Sequence, residues 1–372
     1  MSSEATIEVE YEIRGDVSEA RQRAESLAVE QSHEFPREYA PAKADRSLGR
    51  VSEIEQVSDG LVRAVIAFPE ELTAYEFPQF LVVLMGNASL LPGIRLADFR
   101  IGESFARAIG GGPKLGIEGI RKIVDVKRKP LLATALKPVG LDTEDIVKDA
   151  YDCAIGGVDI IKDDQGLGNQ TWSRFAERVP LVSDAIRKAN DETGRHSVYL
   201  PCFNPPVGHV QEHLDILLKN HVGGCLAVPG ISGFDIIPYL RDNTPDDFII
   251  YGHPALLGGW TASSDHGIRE DLLFGHLLRL LGADSIIFPS YGGRFTFSQE
   301  QCHRIADREK DSFVGLKRSL PSPGGGMTLD RIPELIKFYG NDTMFLIGGA
   351  LHALGSLVDG ARKFNEIAQS YE

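Results

Sequence analysis

The pattern of apolar and polar residues differs between the first third of the chain and the rest. Residues 6–13 (TIEVEYEI) alternate apolar and polar side chains, which is the pattern of a strand buried on one face. Residues 16–31 follow with the spacing of an amphipathic helix that Asp16 or Ser18 could cap. This succession predicts a small α+β domain over residues 1–115. Its remaining predicted elements are strands at 50–57 and 61–69 and a helix at 75–87.

From residue 116 onward, short apolar strands alternate with amphipathic helical stretches. Eight such units over about 250 residues are typical of a (β/α)8 TIM barrel, which we expect over residues 116–372. An open doubly wound sheet uses the same alternation and is the alternative. The predicted strands are residues 131–136, 157–162, 197–202, 224–229, 247–252, 284–289, a weak one at 316–321, and 343–348.

Polar and glycine residues follow nearly every predicted strand. Active sites of TIM barrels gather at the carboxyl ends of the strands, so these residues are candidates for chemistry or substrate binding. They are Lys137, the run Lys162–Gln165, Asn204, His253, Arg294, the glycines 324–326 and the pair Gly348–Gly349.

The end of the second predicted strand carries a lysine and two carboxylates. Lys162 and Asp164 share one face of the strand, while Asp163 faces the other way. Lys162 and Asp164 could form an ion pair in the barrel mouth. If CO₂ carbamylates Lys162, the pair could instead hold a hard cation such as Mg²⁺. A purely structural salt bridge is the competing interpretation.

Single residues at the other strand ends each have a functional and a structural interpretation. Lys137 could be a base or an electrostatic catalyst, or a lysine that reaches solvent. His253 could transfer protons, or it could be a hydrogen-bonded structural histidine. Backbone N–H groups at Gly324–Gly326 and Gly348–Gly349 could cradle a phosphate, or these glycines could serve tight turns.

Composition and charge narrow the class of protein. Of the 372 residues, 42% are hydrophobic and 25% charged, and the net charge of −14 argues against general binding to nucleic acid or to an anionic membrane. The four cysteines show no C-x-x-C spacing, which favours a reducing compartment over a disulfide framework. The chain shows neither a secretory signal nor a membrane-length apolar run, so we expect a cytoplasmic protein.

Five segments together resemble the RuBisCO large-chain superfamily: PLLATALKPVGL, GGVDIIKDDQG, CFNPPVGH, GHPALLG and SPGGGMTLDRIPELIKFYGNDTMFLIGGALH. LMGNASLLPGIRLADFRI resembles the end of that family's N-terminal domain. The resemblance implies a ferredoxin-like N-terminal domain before the TIM barrel. It also implies a homodimer in which the partner's N-terminal domain completes each active site.

The resemblance assigns roles to residues in both domains. Lys137 matches the family's first-strand catalytic lysine, and Lys162 matches the lysine that is carbamylated. Asp164 matches a metal-binding aspartate, and His253 the fifth-strand histidine. The remaining matches are Asn87 and Glu30, which the family supplies across the dimer, and the phosphate-binding glycines 325, 326, 348 and 349.

Departures from the family pattern fall at the groups that handle CO₂. Gln165 replaces a metal-binding glutamate, and Arg294 stands near the place of the lysine in the flexible sixth loop. Val139 and Pro254 replace a lysine and an arginine, and Gly324 replaces a serine. The chain is therefore identified as a RuBisCO-like (form IV) protein that does not carboxylate ribulose bisphosphate.

The resemblance implies an enzyme that works through an enediolate. We expect enolisation or isomerisation of a phosphorylated ketose, of the 5-methylthioribulose-1-phosphate isomerase type in methionine salvage. We also expect Mg²⁺ as a cofactor, with its binding weakened by Gln165. One alternative is a decarboxylase or transcarboxylase/hydrolase of a branched sugar acid such as 3-oxo-isoapionate or its phosphate, with Arg294 on the carboxylate. Another is an inactive binding protein.

Overall fold

The computed structural model describes residues 5–295 and 297–371 and contains two compact units. The first unit contains the residues up to Gly112 together with Leu257–Leu281 and Ser312–Leu316. The second contains Pro113–Leu256 and the remaining later residues. The division predicted between residues 115 and 116 stays a prediction. No pattern in the sequence indicates that two late segments belong to the first unit.

The secondary structure has the following bounds. The strands are β1 (Thr6–Arg14), β2 (Arg50–Ser58), β3 (Leu61–Pro69), β4 (Ile94–Arg100), β5 (Leu131–Leu136), β6 (Ile160–Asp163), β7 (Val198–Leu200), β8 (Cys202–Phe203), β9 (Gly224–Ala227), β10 (Ile249–Gly252), β11 (Gly267–Ile268), β12 (Ser285–Pro289), β13 (Leu320–Gly324) and β14 (Met344–Leu346). The helices are α1 (Val17–Glu30), α2 (Phe77–Met85), α3 (Glu103–Ile109), α4 (Gly116–Ile123), α5 (Thr143–Gly156), α6 (Phe175–Thr193), α7 (Val210–Lys219), α8 (Pro229–Ser232), α9 (Ile236–Asn243), α10 (Gly258–Thr261), α11 (Leu278–Leu281), α12 (Gln299–Lys310), α13 (Ile332–Tyr339) and α14 (Leu357–Gln369). A π-helical turn (Leu272–Leu277) precedes α11.

The first unit is a mixed sheet in the order β11-β4-β1-β3-β2. Its core follows from the alternation along β1, where every second side chain from Ile7 to Ile13 is buried. Asp16 caps α1 through a capping box with Glu19, as the acidic start of that helix indicates. The elements β1 to β4 with α1 and α2 form the ferredoxin-like arrangement, which confirms the predicted α+β fold.

The second unit is a ring of parallel strands with helices between them, which confirms the predicted TIM barrel. The last barrel strand, β14, pairs with the first, β5, in parallel register. The third barrel strand is split at Pro201 into β7 and β8, which pair with β6 and β9 respectively. Proline has no N–H for the strand ladder, so the pairing changes partner there.

A second proline effect lies between β13 and β14. Leu320 donates to Asp284 and the carbonyl of Gly324 accepts from Ser290, so the even positions of β13 bond towards β12. The odd positions are Pro321 and Pro323, which cannot donate to β14. The hydroxyl of Ser322 bonds the carbonyl of Met344 at 2.9 Å instead and links the two strands.

The seventh barrel strand corrects one prediction. The sequence predicts it at residues 316–321, whereas the structure has it at Leu320–Gly324, so the two ranges share only Leu320 and Pro321. The strand contains two prolines, which central strands seldom do, so its sequence does not look like a strand. The prediction therefore begins too early, at Leu316. The other predicted barrel strands overlap the observed ones.

The side chains that face the barrel interior are apolar along the strands and polar at the carboxyl ends of β5 and β6. Leu131, Ala133 and Ile160 belong to one buried cluster, which includes Ile117 and Ile120 of α4. Since alternate residues share a face, Lys137 continues the row from β5, and Lys162 and Asp164 continue it from β6. The rest of this cluster is Val124, Leu200, Cys202, Leu226, Val228, Ile249, Tyr251, Ile287, Leu320 and Met344.

No helix among the described residues is both long enough and apolar enough to cross a membrane.

Candidate active site

The lysine of β5 and the carboxylate of β6 form an ion pair at the barrel mouth. The ammonium of Lys137 lies 2.8 Å from Oδ1 of Asp164. The Asp164 side chain is 8% exposed and that of Lys137 is 34% exposed, so solvent reaches the lysine end of the pair. The structure thus brings together two of the predicted residues from neighbouring strands.

Lys162 lies beside this pair and is almost fully buried. Its side chain is 1% exposed, and its ammonium donates a hydrogen bond to the carbonyl oxygen of Asp163 at 3.1 Å. Burial lowers the pKa of Lys162 to about 8, although the charge of Asp164 opposes the shift; the neighbouring charge of Lys137 lowers it further. A substantial fraction of Lys162 is therefore the neutral amine near pH 8.

His253 follows β10 and is neutral at physiological pH. Burial holds its pKa well below the usual range, and the positive charges of Lys162 and Lys137 add to the effect. Its Nδ1 accepts a hydrogen bond from the backbone N–H of Ala255 at 3.1 Å. A neutral ring that accepts at Nδ1 carries its proton at Nε2, so His253 is a hydrogen-bond donor through Nε2.

Asp163 points away from the mouth and is anchored on the other face of β6. Its carboxylate accepts from Arg178 at 3.1 Å and from the hydroxyl of Tyr199 at 2.8 Å. Asp163 and Arg178 are completely buried. Sequence reasoning placed Asp163 on the correct face but missed these partners. The available signal was an arginine on an apolar helix face, flanked by the buried residues Phe175 and Val179 of α6.

The glycine turn after β13 holds the loop that carries Arg294. The backbone N–H of Arg294 donates to the carbonyl of Gly325 at 2.8 Å. A Cβ on Gly326, whose φ is +88°, would lie 2.7 Å from Cγ of Arg294, so only glycine allows this approach. The Arg294 guanidinium carbon lies 5.5 Å from the centre of the Phe295 ring. Gly324 ends β13 in this turn.

The other predicted substrate contacts lie on neighbouring strand ends. A Cβ on Gly348 would lie 3.8 Å from Cδ of Lys137, so the Gly348–Gly349 turn borders the ion pair. Asn204 follows β8, and its amide oxygen lies near Gly168 in the loop after β6. Both positions agree with a shared rim, but the phosphate and substrate roles stay predictions.

Asn87 and Glu30 lie together in the first unit. The amide nitrogen of Asn87 donates to Oε1 of Glu30 at 2.8 Å, between the C-terminal residue of α1 and the turn after α2. The two residues predicted to act across a dimer are therefore already hydrogen-bonded to each other within one chain.

A Mg²⁺ site at the end of β6 stays a prediction. Within residues 5–295 and 297–371, no group of three or more His, Cys, Asp or Glu side chains could hold a metal. The possible ligands are the carboxylate of Asp164, the amide oxygen of Gln165 and a carbamate on Lys162. The neutral amine that carbamate formation requires is available, because burial has lowered the pKa of Lys162.

Comparisons with known proteins give consistent similarities. The family model for the ribulose bisphosphate carboxylase large chain, catalytic domain, matches residues 116–368. The chain is 37% identical to ribulose bisphosphate carboxylase-like protein 1 of Rhodopseudomonas palustris over 377 residues, and the match covers both chains completely. It is 33% identical to 5-methylthioribulose-1-phosphate isomerase of Rhodospirillum rubrum, with 92% of this chain and 90% of the relative covered. The crystal structure of a Rubisco-like protein from Rhodopseudomonas palustris superimposes with a TM-score of 0.89 at 35% identity and covers 99% of each chain.

The burial of Lys162 predicts a pH-dependent gain in stability for Lys162→Met. The folded-state pKa of about 8 lies below the ordinary 10.5, so both folded and unfolded chains are protonated below pH 8 and the full cost of burying the ammonium is present there. We expect the variant to be more stable than wild type by up to about 3 kcal/mol at pH 7. The gain should shrink as the pH rises from 8 to 10.5.

Urea denaturation in CO₂-free buffer measures this difference, because carbamylation is then excluded. Lys148→Met is the matched control, since Lys148 is exposed on α5 and paired with Asp152. Equal stability of Lys162→Met and wild type at pH 7, or a gain that does not change with pH, would contradict the burial argument.

Proposed function

The chain belongs to the ribulose bisphosphate carboxylase large-chain family as a RuBisCO-like protein, and from this premise we propose that it enolises or isomerises a phosphorylated ketose without carboxylating it. The membership confirms the resemblance of the strand-end segments. The specific proposal is an isomerase of the 5-methylthioribulose-1-phosphate type. It draws support from the likeness to the Rhodospirillum rubrum isomerase.

One observation carries the proposal: the buried amine of Lys162 lies beside the Lys137–Asp164 pair and near a neutral histidine. An enolisation needs a base for the proton next to a ketone and positive groups for the oxygen that becomes negative. The neutral form of Lys162, available because its pKa is lowered to about 8, can take that proton. Lys137 and the Nε2–H of His253 can stabilise the enolate oxygen.

The groups that a carboxylase needs are altered at the same strand ends. Gln165 brings no negative charge to the end of β6, and Pro254 follows His253 where the family has an arginine. Arg294 is fastened by its backbone to the β13 turn near the place of the sixth-loop lysine. These differences support an enzyme that retains the enolate chemistry and lacks the CO₂ step.

Magnesium, when bound, would supply a Lewis acid that polarises a ketone oxygen. Asp164, Gln165 and a carbamylated Lys162 would hold it. A carbamylated Lys162 is no longer a free amine, so Lys137 would be the base when the ion is bound, and Lys162 is the base only without it. An amide oxygen carries less negative charge than a carboxylate, so this chain should bind the ion more weakly than one with glutamate at the same position.

Arg294 favours one second candidate function. Its side chain is exposed, and a guanidinium binds a carboxylate through two parallel hydrogen bonds. A decarboxylase or transcarboxylase/hydrolase of a branched sugar acid would use this group. Release of CO₂ from such a substrate would favour this function over the isomerase.

Lys137→Met and Lys162→Met should abolish the enolisation. The wild type, incubated in D₂O with a panel of ketose phosphates that includes 5-methylthioribulose 1-phosphate, should exchange the proton next to the ketone, which NMR detects. Each variant should slow the exchange at least about 100-fold, because a base or an electrostatic group is lost. Lys148→Met should exchange like wild type. Full activity of both lysine variants would rule out the site as described.

Gln165→Glu should strengthen Mg²⁺ binding. The substitution adds one anionic oxygen ligand, and we expect the affinity to rise about tenfold or more in the presence of bicarbonate. Isothermal titration calorimetry measures both proteins, with Gln170→Glu as the control from the loop beyond. Absence of Mg²⁺ binding in both proteins, together with activity that EDTA does not reduce, would remove the metal from the proposal.

A homodimer with shared sites is the assembly we propose. Co-expressed Asn87→Ala and Lys162→Met chains would then form heterodimers in which one site has an intact lysine from one chain and an intact asparagine from the other. Activity should recover above that of either variant alone. Dimers on sedimentation without any recovery would show that Asn87 does not act across the interface.

A further inference from the structure

The carboxylate on the outer face of β6 is held from several sides. Asp163 accepts from Nη2 of Arg178 at 3.1 Å and from Nε at 3.3 Å. It also accepts from the hydroxyl of Tyr199 at 2.8 Å and from the backbone N–H of Cys202 at 3.1 Å. A fully buried carboxylate with this many donors has one orientation, since any rotation would break charge-assisted hydrogen bonds in an apolar surrounding.

Arg178 extends this anchor into the loop that follows β6. Its guanidinium donates to the carbonyl oxygens of Gly168 and Ser173, both at 2.7 Å, and to that of Leu167 at 3.3 Å. The loop begins directly after Asp164. The same guanidinium therefore holds both the end of β6 and the loop that follows it.

The anchor reaches the reacting groups through the backbone. The ammonium of Lys162 donates to the carbonyl oxygen of Asp163, the residue whose side chain is held on the opposite face. Asp164, the partner of Lys137, is the next residue. A turn of the Asp163 peptide would displace both the acceptor for Lys162 and the carboxylate for Lys137.

We propose that Asp163 and Arg178 are positioning residues, which set the place of Lys162 and Asp164 without touching the substrate. The inference rests on the proposed enolisation, since it assigns these residues an effect on that reaction. A residue outside the reacting shell that orients groups within it typically controls the rate more than substrate binding.

A second buried pair provides a matched control at the opposite end of the same strand. Asp159, just before β6, accepts from Nζ of Lys129 at 2.9 Å and from the backbone N–H of Leu132 at 2.8 Å. It is 9% exposed. Asp159→Asn and Asp163→Asn thus remove a buried, ion-paired carboxylate from the two ends of one strand.

The experiment compares the steady-state constants of the two variants on the ketose phosphate that wild type exchanges. Asp163→Asn should lower kcat about 10- to 100-fold while KM changes little. Asp159→Asn should keep kcat within about threefold of wild type, even where its melting temperature falls equally. Equal losses of kcat in the two variants, or a loss confined to KM, would overturn the inference.

Graded variants keep the test decisive if Asp163→Asn does not fold. Tyr199→Phe removes one hydrogen bond and should lower kcat by about fivefold. Arg178→Lys keeps the charge but loses the fork that spans Asp163 and the loop carbonyls, so it should lower kcat more than Tyr199→Phe. Wild-type kcat in both folded variants would overturn the proposal.

A readout without turnover separates this inference from the proposed function. Pyridoxal 5′-phosphate forms a Schiff base with a lysine amine, borohydride traps it, and peptide mass spectrometry measures it at Lys162 relative to Lys137. Asp163→Asn should raise the relative labelling of Lys162 severalfold, and Asp159→Asn should match wild type. If wild type exchanges no ketose phosphate, the proposed function fails while this ratio still decides the positioning role. An unchanged ratio in Asp163→Asn would reject it.

Discussion

Neighbouring residues of a β-strand point to opposite faces, and the site depends on this constraint at the end of β6. Lys162 and Asp164 continue the inner row that starts at Ile160 and so reach the barrel mouth. Asp163 must then face outward, where Arg178 compensates its buried charge. One strand end therefore supplies both the proposed reacting groups and the buried carboxylate that we propose positions them.

The charge balance at the mouth follows from this placement. Two lysines share the single carboxylate of Asp164, which pairs directly with Lys137. The other lysine is left buried against a backbone carbonyl, so its ammonium form is destabilised and its pKa falls. Burial, together with the positive charges of the two lysines, holds the pKa of His253 well below its usual range and keeps the ring neutral. A buried amine whose pKa is lowered to about 8, a paired cation and a neutral hydrogen-bond donor suit a reaction in which negative charge develops on an oxygen.

Much of this arrangement could be predicted from the sequence because periodicity and strand ends carry it. The alternation at residues 160–164 identified which side chains face the barrel mouth, and the family resemblance named Lys137 and His253. The seventh strand was misplaced, since Pro321 and Pro323 obscure a strand whose position is set by pairing with β12. Tertiary contact, which local patterns do not encode, decided that case.

The contacts of Asp163 could not be predicted from the sequence. Arg178 is fifteen residues away on α6, and Tyr199 lies on the next barrel strand, so only the folded barrel brings the three together. The joining of Leu257–Leu281 to the first unit was likewise invisible, because its β11 pairs with β4 from far along the chain.

The proposed function requires the cluster at the mouth to remove a proton from the carbon next to a ketone. The most direct measurement is the primary isotope effect on turnover of 5-methylthioribulose 1-phosphate, or of the ketose phosphate that proves reactive, deuterated at that carbon. Turnover of the deuterated substrate should be slower, with the label lost to solvent or moved to the neighbouring carbon. Turnover with full retention of the deuterium at its original carbon, and at an unchanged rate, would contradict it.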